Sequence, residues 1–339
     1  MFLKNLWYFA QRGDLLKRGS MVAKTLLGEP VLLARDSDGV PFAIRDICPH
    51  RGIPLSVGTF DGREVECCYH GWRFNREGHC TAIPSLVEGQ KFNVDRVRVP
   101  HYPCREVQGN IWVYFGDESE DMIDPPEIPD IGTRVPNTAF TMTFPCHVDH
   151  AVVGLMDPAH GPFVHKAWWW RSRKSIHEKS KTFAPSERGF TMVRHPPSSN
   201  SAAYKLLGGS MTTEISFQLP SIRIEHIRAG RHVLCGLTAV TPVSETETEL
   251  NHRIYWTQPW LTPLKPILKP LARKFLEQDR DIVTLQQEGL KHDPNLMLIN
   301  DSDVQAKWYY QLKDAWAKSI AENQPFENPV EARELRWRS

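Results

Sequence analysis

Apolar and polar positions alternate along residues 22–47, broken by Ser37-Asp38-Gly39, which predicts two strands turning at that tripeptide. Residues 63–69 predict another short strand. The run Asn-Ile-Trp-Val-Tyr-Phe at 110–115 predicts a buried one that closes a small all-β region. The periodicity then stops. DMIDPPEIPDIGTRVP, at 121–136, is rich in proline and acid and reads as an interdomain linker. Beyond it, strand patterns recur at about 211–219, 221–228, 232–242 and 247–257, the last three joined by turn-like residues, so an antiparallel sheet is expected. Helical periodicity follows at about 270–290 and 303–321, with PLKPILKP (263–270) as the lead-in and Pro270 in the first turn. The predicted fold class is α+β. An N-terminal all-β domain (1–120) and the linker (121–136) precede a second domain (137–339), in which long C-terminal helices cross an antiparallel sheet.

The chain has 339 residues, enough for two domains that each bury a core. Its net charge is +1 and no basic tract stands out, which argues against a nucleic-acid partner. Seven cysteines in this length point to a reducing compartment, so a cytoplasmic location is expected. The opening MFLKNLWYFA is broken by Lys4 and followed by Arg12 and Asp14, unlike the apolar run of a signal peptide. No stretch approaches the ~18–20 uncharged apolar residues of a membrane span.

Candidate chemistry concentrates in two clips, Cys48-Pro49-His50 and Cys67-Cys68-Tyr69-His70, with sixteen residues between His50 and Cys67. Two thiolates and two imidazoles suit a Rieske [2Fe–2S] centre, in which one iron takes both cysteines and the other both histidines. Such a centre passes single electrons. The alternative is structural zinc, which also accepts two cysteines and two histidines. Against zinc, each cysteine is paired locally with its own histidine, and each clip runs into a tight loop, Arg51-Gly52 or Gly71-Trp72. Only Cys67 has the two-residue spacing to His70, so Cys67 is the expected ligand and Cys68 an adjacent buried thiol. Cys80, Cys104, Cys146 and Cys235 lack ligand spacing and are expected as buried thiols.

A second constellation is Asp157-Pro-Ala-His160-Gly-Pro-Phe-Val-His165. Pro158 and Pro162 oppose a continuous helix, so His160 and His165 can converge from a broken one. Two histidines and a carboxylate form the facial triad of non-haem iron sites. For the carboxylate, KFLEQDRDIVTLQQ offers Glu277, Asp279 and Asp281. Leu268, Leu271, Phe275, Ile282 and Gln286 fall on one predicted helix stripe with Asp279 in its middle, while Glu277 and Asp281 point away. An acid centred on an apolar stripe is costly unless paired or metal-bound, which favours Asp279 over Asp281. His147 and His150, just upstream, are expected to be ordinary polar residues on a helix. Trp168, Trp169 and Trp170 suit either a pocket for a flat substrate or aromatic packing.

The stretches CPHRGIPLSVG (48–58) and CCYHGWRFNREGHC (67–80), with NLWYFA (5–10) and LMDPAHGPFVH (155–165), resemble the Rieske non-haem iron ring-hydroxylating oxygenases, and the likeness covers nearly the whole chain. That resemblance implies a helix-grip catalytic domain and a terminal oxygenase that activates O2 at Fe(II). It also implies a branch that hydroxylates or oxidatively demethylates an organic substrate, in preference to cis-dihydroxylating an arene. In that family the acid at Asp157 bridges to a Rieske histidine of the next subunit in a head-to-tail trimer, because the two metal centres of one chain lie too far apart. The family's asparagine three residues before that acid is Gly154 here. No dinucleotide fingerprint appears, so electrons from NAD(P)H would arrive through a separate reductase, with or without a ferredoxin. A Rieske electron carrier with an added domain, or a zinc-stabilised helix-grip binding protein, are the rival classes. The His160, His165 and Asp279 set speaks against the carrier, and colour separates the zinc protein, which is colourless where a Rieske protein is red-brown.

Overall fold

The structure, a computed structural model, describes residues 2–116, 122–165, 174, 176–197 and 210–339. The chain divides into two units, residues 2–127 and residues 128–339.

The first unit is built from small antiparallel sheets. Strands β1 (Leu6–Arg12) and β11 (Asn110–Phe115) pair along their length, with β10 (Cys104–Val107) on the other edge of β11. All six residues of β11 are buried, and Phe9 meets Trp112 edge-on at 5.7 Å, so the pair forms an aromatic core of its own. The segment expected as one hairpin is a longer meander of β2 (Ser20–Leu26), β3 (Glu29–Arg35) and β4 (Pro41–Arg45), to which β9 (His101–Tyr102) adds an edge. Its first turn, Leu27-Gly28, places both residues at positive φ and lacks the polar signature that marked the second. Near the second turn the Asp36 carboxylate accepts the Val40 amide at 2.8 Å. A third sheet, β5 (Thr59–Phe60), β6 (Val65–Glu66), β7 (Arg73–Phe74) and β8 (Cys80–Ala82), is made of very short strands. The strand expected at 63–69 is only Val65–Glu66, because the chain leaves the sheet at Cys67 to form a loop.

Residues 122–136 carry no helix or strand. The second unit is an eight-stranded antiparallel sheet in the order β12-β18-β17-β16-β15-β14-β13-β19. Strands β15 (Met211–Gln218), β16 (Ile222–Ala229), β17 (His232–Pro242) and β18 (Thr248–Trp256) lie within about a residue of their expected places. Strands β12 (Thr138–Phe144), β13 (Glu178–Ser186), β14 (Gly189–His195) and β19 (Arg333–Arg338) extend the sheet on both sides. The buried Arg253 donates to the Phe140 carbonyl at 2.7 Å and to Asn251 Oδ1 at 3.1 Å, tying β12 to β18.

Helix α1 (Val148–Met156) packs on β17 and β18; α2 (Gly161–Val164) is a single turn. Helix α3 (Lys265–Leu290) begins before the expected start. Pro266 occupies its first turn, where a missing amide costs nothing, and Pro270 falls in the second rather than the first. Helix α4 (Val304–Glu322) sets Trp308 5.1 Å from Phe190 and Tyr309 edge-on to Phe217 at 5.8 Å, seating it on the sheet. Tyr309 and Lys313 of α4 both reach Asp149 Oδ1 of α1, at 2.7 and 2.5 Å, fixing the helix that leads into the histidine motif.

Candidate metal centres

The two Cys/His loops close in the same way. Gly52 donates to the Cys48 carbonyl and Gly71 to the Cys67 carbonyl, each at 2.9 Å. The Cys48 amide donates to the Ile53 carbonyl at 2.8 Å and that of Cys67 to the Trp72 carbonyl at 2.9 Å. Gly52 and Gly71 sit at φ 73° and 69°, a conformation that disfavours any residue with a Cβ. Cys48 and Cys67 are each 2% exposed and belong to the core of this unit beside Leu55, Val65 and Phe74. Asp46 braces the first loop by accepting the Ser56 amide at 2.7 Å. The His50 and His70 rings lie 4.5 Å apart, and His50 stacks on Trp72 at 4.6 Å.

Cys68 is exposed, which corrects the expectation of a buried thiol: alternation along the chain turns it outward while Cys67 points into the core. Among the other cysteines, Cys104 is only half-buried, and Cys80, Cys146 and Cys235 are buried. Burial pushes the Cys48 thiol up to about 11, with the neighbouring Cys67 adding to the effect. His50 Nδ1 is buried with no hydrogen-bond partner among the described residues. An orphaned ring nitrogen, on the loop that carries one of two adjoining buried thiols and facing the His70 ring, is satisfied by a soft metal centre held through sulfur and imidazole, so these residues fit the cluster.

In the second unit α1 ends at Asp157, whose Oδ1 accepts the Ala159 amide at 2.7 Å and turns the chain at Pro158. His160 begins α2 and His165 follows it. The three ligand atoms converge: His160 Nε2 to His165 Nε2 is 3.2 Å, His165 Nε2 to Asp279 Oδ1 3.4 Å, and His160 Nε2 to Asp279 Oδ1 3.6 Å. Every corner of such a triangle can lie about 2.1 Å from one ion, the usual metal–nitrogen and metal–oxygen distance. Among the described residues, His160, His165 and Asp279 form the group whose donors converge in this way. His147 instead caps α1, its Nδ1 accepting the Asp149 amide at 3.2 Å, and His150 lies within that helix.

Asp279 reaches the site from α3, though not quite as the periodicity indicated. The helix buries Leu276 and Val283, whereas Leu271, Ile282 and Gln286 of the expected stripe are exposed. The buried face is rotated by ~95°, about one residue step, and Asp279 lies between the two faces. Asp281 and Glu277 pair with Arg280 and Arg273 instead. Burial pushes the Asp279 carboxyl up to about 6 against the pull of His160. At His160 burial opposes the charged form, yet Asp157 and Asp279 together raise its pKa. A divalent cation beside these groups would favour the carboxylate and the neutral imidazole, the forms that ligate.

Of two supporting side chains, Gln278 had no signal in the sequence and Phe275 was read only as part of the apolar stripe. Gln278 Oε1 lies 3.2 Å from His165 Nδ1, fixing that ring so that Nε2 faces Asp279, and Phe275 stacks on the same ring. Cavities of about 360 and 340 Å3 both reach His160 and Asp279. They share Gly154 and Leu276 in their walls, and a Cβ on Gly154 would meet no atom within 4 Å. Trp168, Trp169 and Trp170 lie outside the described residues.

An all-β unit with paired Cys/His loops, followed by a helix-crossed sheet holding a two-histidine, one-carboxylate site, defines a two-centre redox protein of the Rieske oxygenase build. Residues 6–103 match the Rieske [2Fe-2S] domain, and residues 144–318, more than half the chain, match the vanillate O-demethylase oxygenase C-terminal domain. The chain belongs to the Rieske oxygenase family that carries this C-terminal domain. It is 34% identical to chlorophyllide a oxygenase of Arabidopsis thaliana, over 87% of this chain and 54% of that protein. It is 36% identical to the oxygenase component of dicamba O-demethylase from Stenotrophomonas maltophilia, over 49% of this chain and 48% of that one. The chain spans about half the length of these two relatives. Its fold matches the crystal structure of dicamba monooxygenase bound to dicamba with a TM-score of 0.76 at 21% identity, covering 95% of this chain and 99% of that one. No helix among the described residues is long and apolar enough to cross a membrane.

Proposed function

We propose that the chain is the terminal oxygenase component of a multi-protein system, hydroxylating or oxidatively demethylating an organic, aromatic or polycyclic substrate with O2. The observation that carries this reading is the convergence of His160, His165 and Asp279 beside a mostly apolar cavity of about 360 Å3. An electron carrier has no use for such a pocket. In this reading Cys48, His50, Cys67 and His70 hold the [2Fe–2S] cluster, and His160, His165 and Asp279 hold Fe(II). When bound, the cluster supplies single electrons and the mononuclear iron supplies the activation of O2. Gln278 and Phe275 hold the His165 ring, and the apolar walls around Leu276 orient the substrate and keep bulk water away.

Asp157 takes the role of bridge to a Rieske histidine of the next subunit in a head-to-tail homotrimer. Its side chain is 32% exposed, and Oδ2 lies 3.5 Å from His160 Nδ1, so one face is available while the other touches an iron ligand. The electrons come from NAD(P)H by way of a separate reductase, with a ferredoxin between them where the system has one. The experiment is reconstitution with reductase, NADH and 18O2 against aromatic and polycyclic candidates. Substrate-dependent O2 uptake is expected, with one labelled oxygen in a hydroxylated product or stoichiometric formaldehyde released with a demethylated one, and neither from His165→Ala. Reduction of the cluster with no hydroxylated or demethylated product from any candidate would leave the carrier reading standing. In the same assay Asp157→Asn should keep cluster and iron yet reoxidise its cluster far more slowly; reoxidation at the wild-type rate would return Asp157 to a turn residue.

A further inference from the structure

Both cavities that reach His160 and Asp279 have Gly154 in their walls, together with Leu155, Met156, Leu276 and Gln305. They adjoin where the end of α1 meets α3 and α4. The glycine at this junction has no backbone reason to be there. It lies inside α1, two residues before the last helical one, and its φ is not positive, so it is not the left-handed residue that ends a helix. Nor is it needed for a close approach. A Cβ at Gly154 would meet nothing within 4 Å among the described residues, whereas one at Gly189 would run into the Phe217 carbonyl. Glycine inside a helix weakens the folded state roughly fivefold against alanine. What the missing side chain leaves is open space, and Gly154 is exposed to it. Beyond this point the walls of the smaller cavity, of about 340 Å3, are mostly apolar, among them Phe144, Val153, Leu250, Val283 and Ala306. Such a lining suits hydrocarbon better than a chain of ordered water, which needs two to four polar partners per molecule.

We infer that Gly154 joins the two cavities into one bent pocket, and that the substrate is an extended apolar molecule that fills both arms. Its reacting part lies at the bend beside His160 and Asp279, and the rest of its body passes Gly154 into the second arm. Each cavity alone is at the small end of the range for a ligand pocket, ~300–1,000 Å3. Joined, they offer about twice the space and exclude small aromatics by affinity rather than by shape, because a small molecule leaves one arm unfilled. Gly154 is a specificity-determining residue: any longer side chain there divides the pocket and shortens the molecule it takes. This inference rests on the reading of the cavities as a substrate pocket.

The test is equilibrium binding to the metal-loaded protein under argon, without turnover, so it does not depend on oxygenation. The probes are 1-naphthalenemethanol and 1-pyrenebutanol, followed by their fluorescence. In the wild type the larger probe should bind about tenfold or more tightly, since it buries more apolar surface. Gly154→Leu should cost the larger probe about tenfold or more in affinity and the smaller one less than about threefold, with metal content unchanged. Gly154→Ala should raise the thermal midpoint by about 2–4 °C, as fits a helix glycine kept for the space it leaves. Three results would each overturn the proposal: a wild type that binds the larger probe no more tightly, a folded Gly154→Leu protein that keeps the size preference, or a Gly154→Ala protein that melts lower. Should Gly154→Leu fail to fold, Val153→Phe serves instead, because Val153 lines the smaller cavity and not the larger. Loss of the size preference in that variant supports the joined pocket, and an unchanged preference removes it. Size-dependent binding lost in Gly154→Leu, with no product from any substrate, would leave this inference intact and sink the oxygenase reading.

Discussion

Cys67 and Cys68 are chemically identical neighbours, and spacing to His70 alone chose between them in the sequence. The structure supplies an independent reason, because Cys67 is 2% exposed in the core beside Cys48 whereas Cys68 is exposed. Cys67→Ser should abolish the Rieske EPR signal, and Cys68→Ser should keep it; the reverse pattern would move the cluster to the outer thiol. His160, His165 and Asp279 were legible because ligand chemistry restricts both residue type and spacing. Gln278 was not, since a glutamine beside an aspartate on a helix carries no signal until the fold brings it to His165 Nδ1. Gln278→Leu keeps the size and removes the acceptor, so His165 loses the partner that fixes its ring. Iron affinity should fall roughly 10–100-fold with the cluster untouched, measured as iron retained against a graded chelator. Retention equal to the wild type would make Gln278 a bystander.

Among the elements, α3 and α4 and the run β15–β18 were readable because each is long enough for its period to stand out. Strands β12, β13, β14 and β19 were not read. β12 pairs with β18 and β19 with β13, partners more than a hundred residues away, so their burial is set by contacts that no local window contains. The short strands around the cluster, of two or three residues, are too brief to show any alternation. On α3 the periodicity singled out the acid that meets His160 and His165, from a face about one residue step away. The pattern counted Leu271 and Ile282 as inward, but they are 37% and 47% exposed, while Leu276 and Val283 are buried. Leu276→Ala should therefore cost about 2–4 kcal/mol, and Leu271→Ala under about 1 kcal/mol. Urea denaturation followed by the tryptophan fluorescence of the catalytic unit checks the ranking; equal losses would mean that the face of α3 is misassigned.

At the scale of the whole molecule, the chain places two donor sets of different character in two separate units. Thiolates and imidazoles sit on glycine-closed loops in one, and imidazoles with a carboxylate at a helix break and on a long helix in the other. Soft ligands suit a centre that exchanges electrons, and a site with three protein donors on one side leaves room for other ligands. The two-unit division was visible in the sequence as a proline-rich lapse of periodicity, and the donor sets as motifs. The sheet wall of the larger cavity was not, because Arg223, Thr238 and His252 come together only through strand register.

The most direct test is therefore metal analysis with EPR on anaerobically purified wild type and Asp279→Ala, which removes the proposed ligand that α3 brings to the two histidines. The account predicts about three irons and two acid-labile sulfides per chain in the wild type. Asp279→Ala should hold about two of each, with the Rieske signal unchanged. Zinc without sulfide in the wild type, or an Asp279→Ala protein that keeps its third iron, would contradict it.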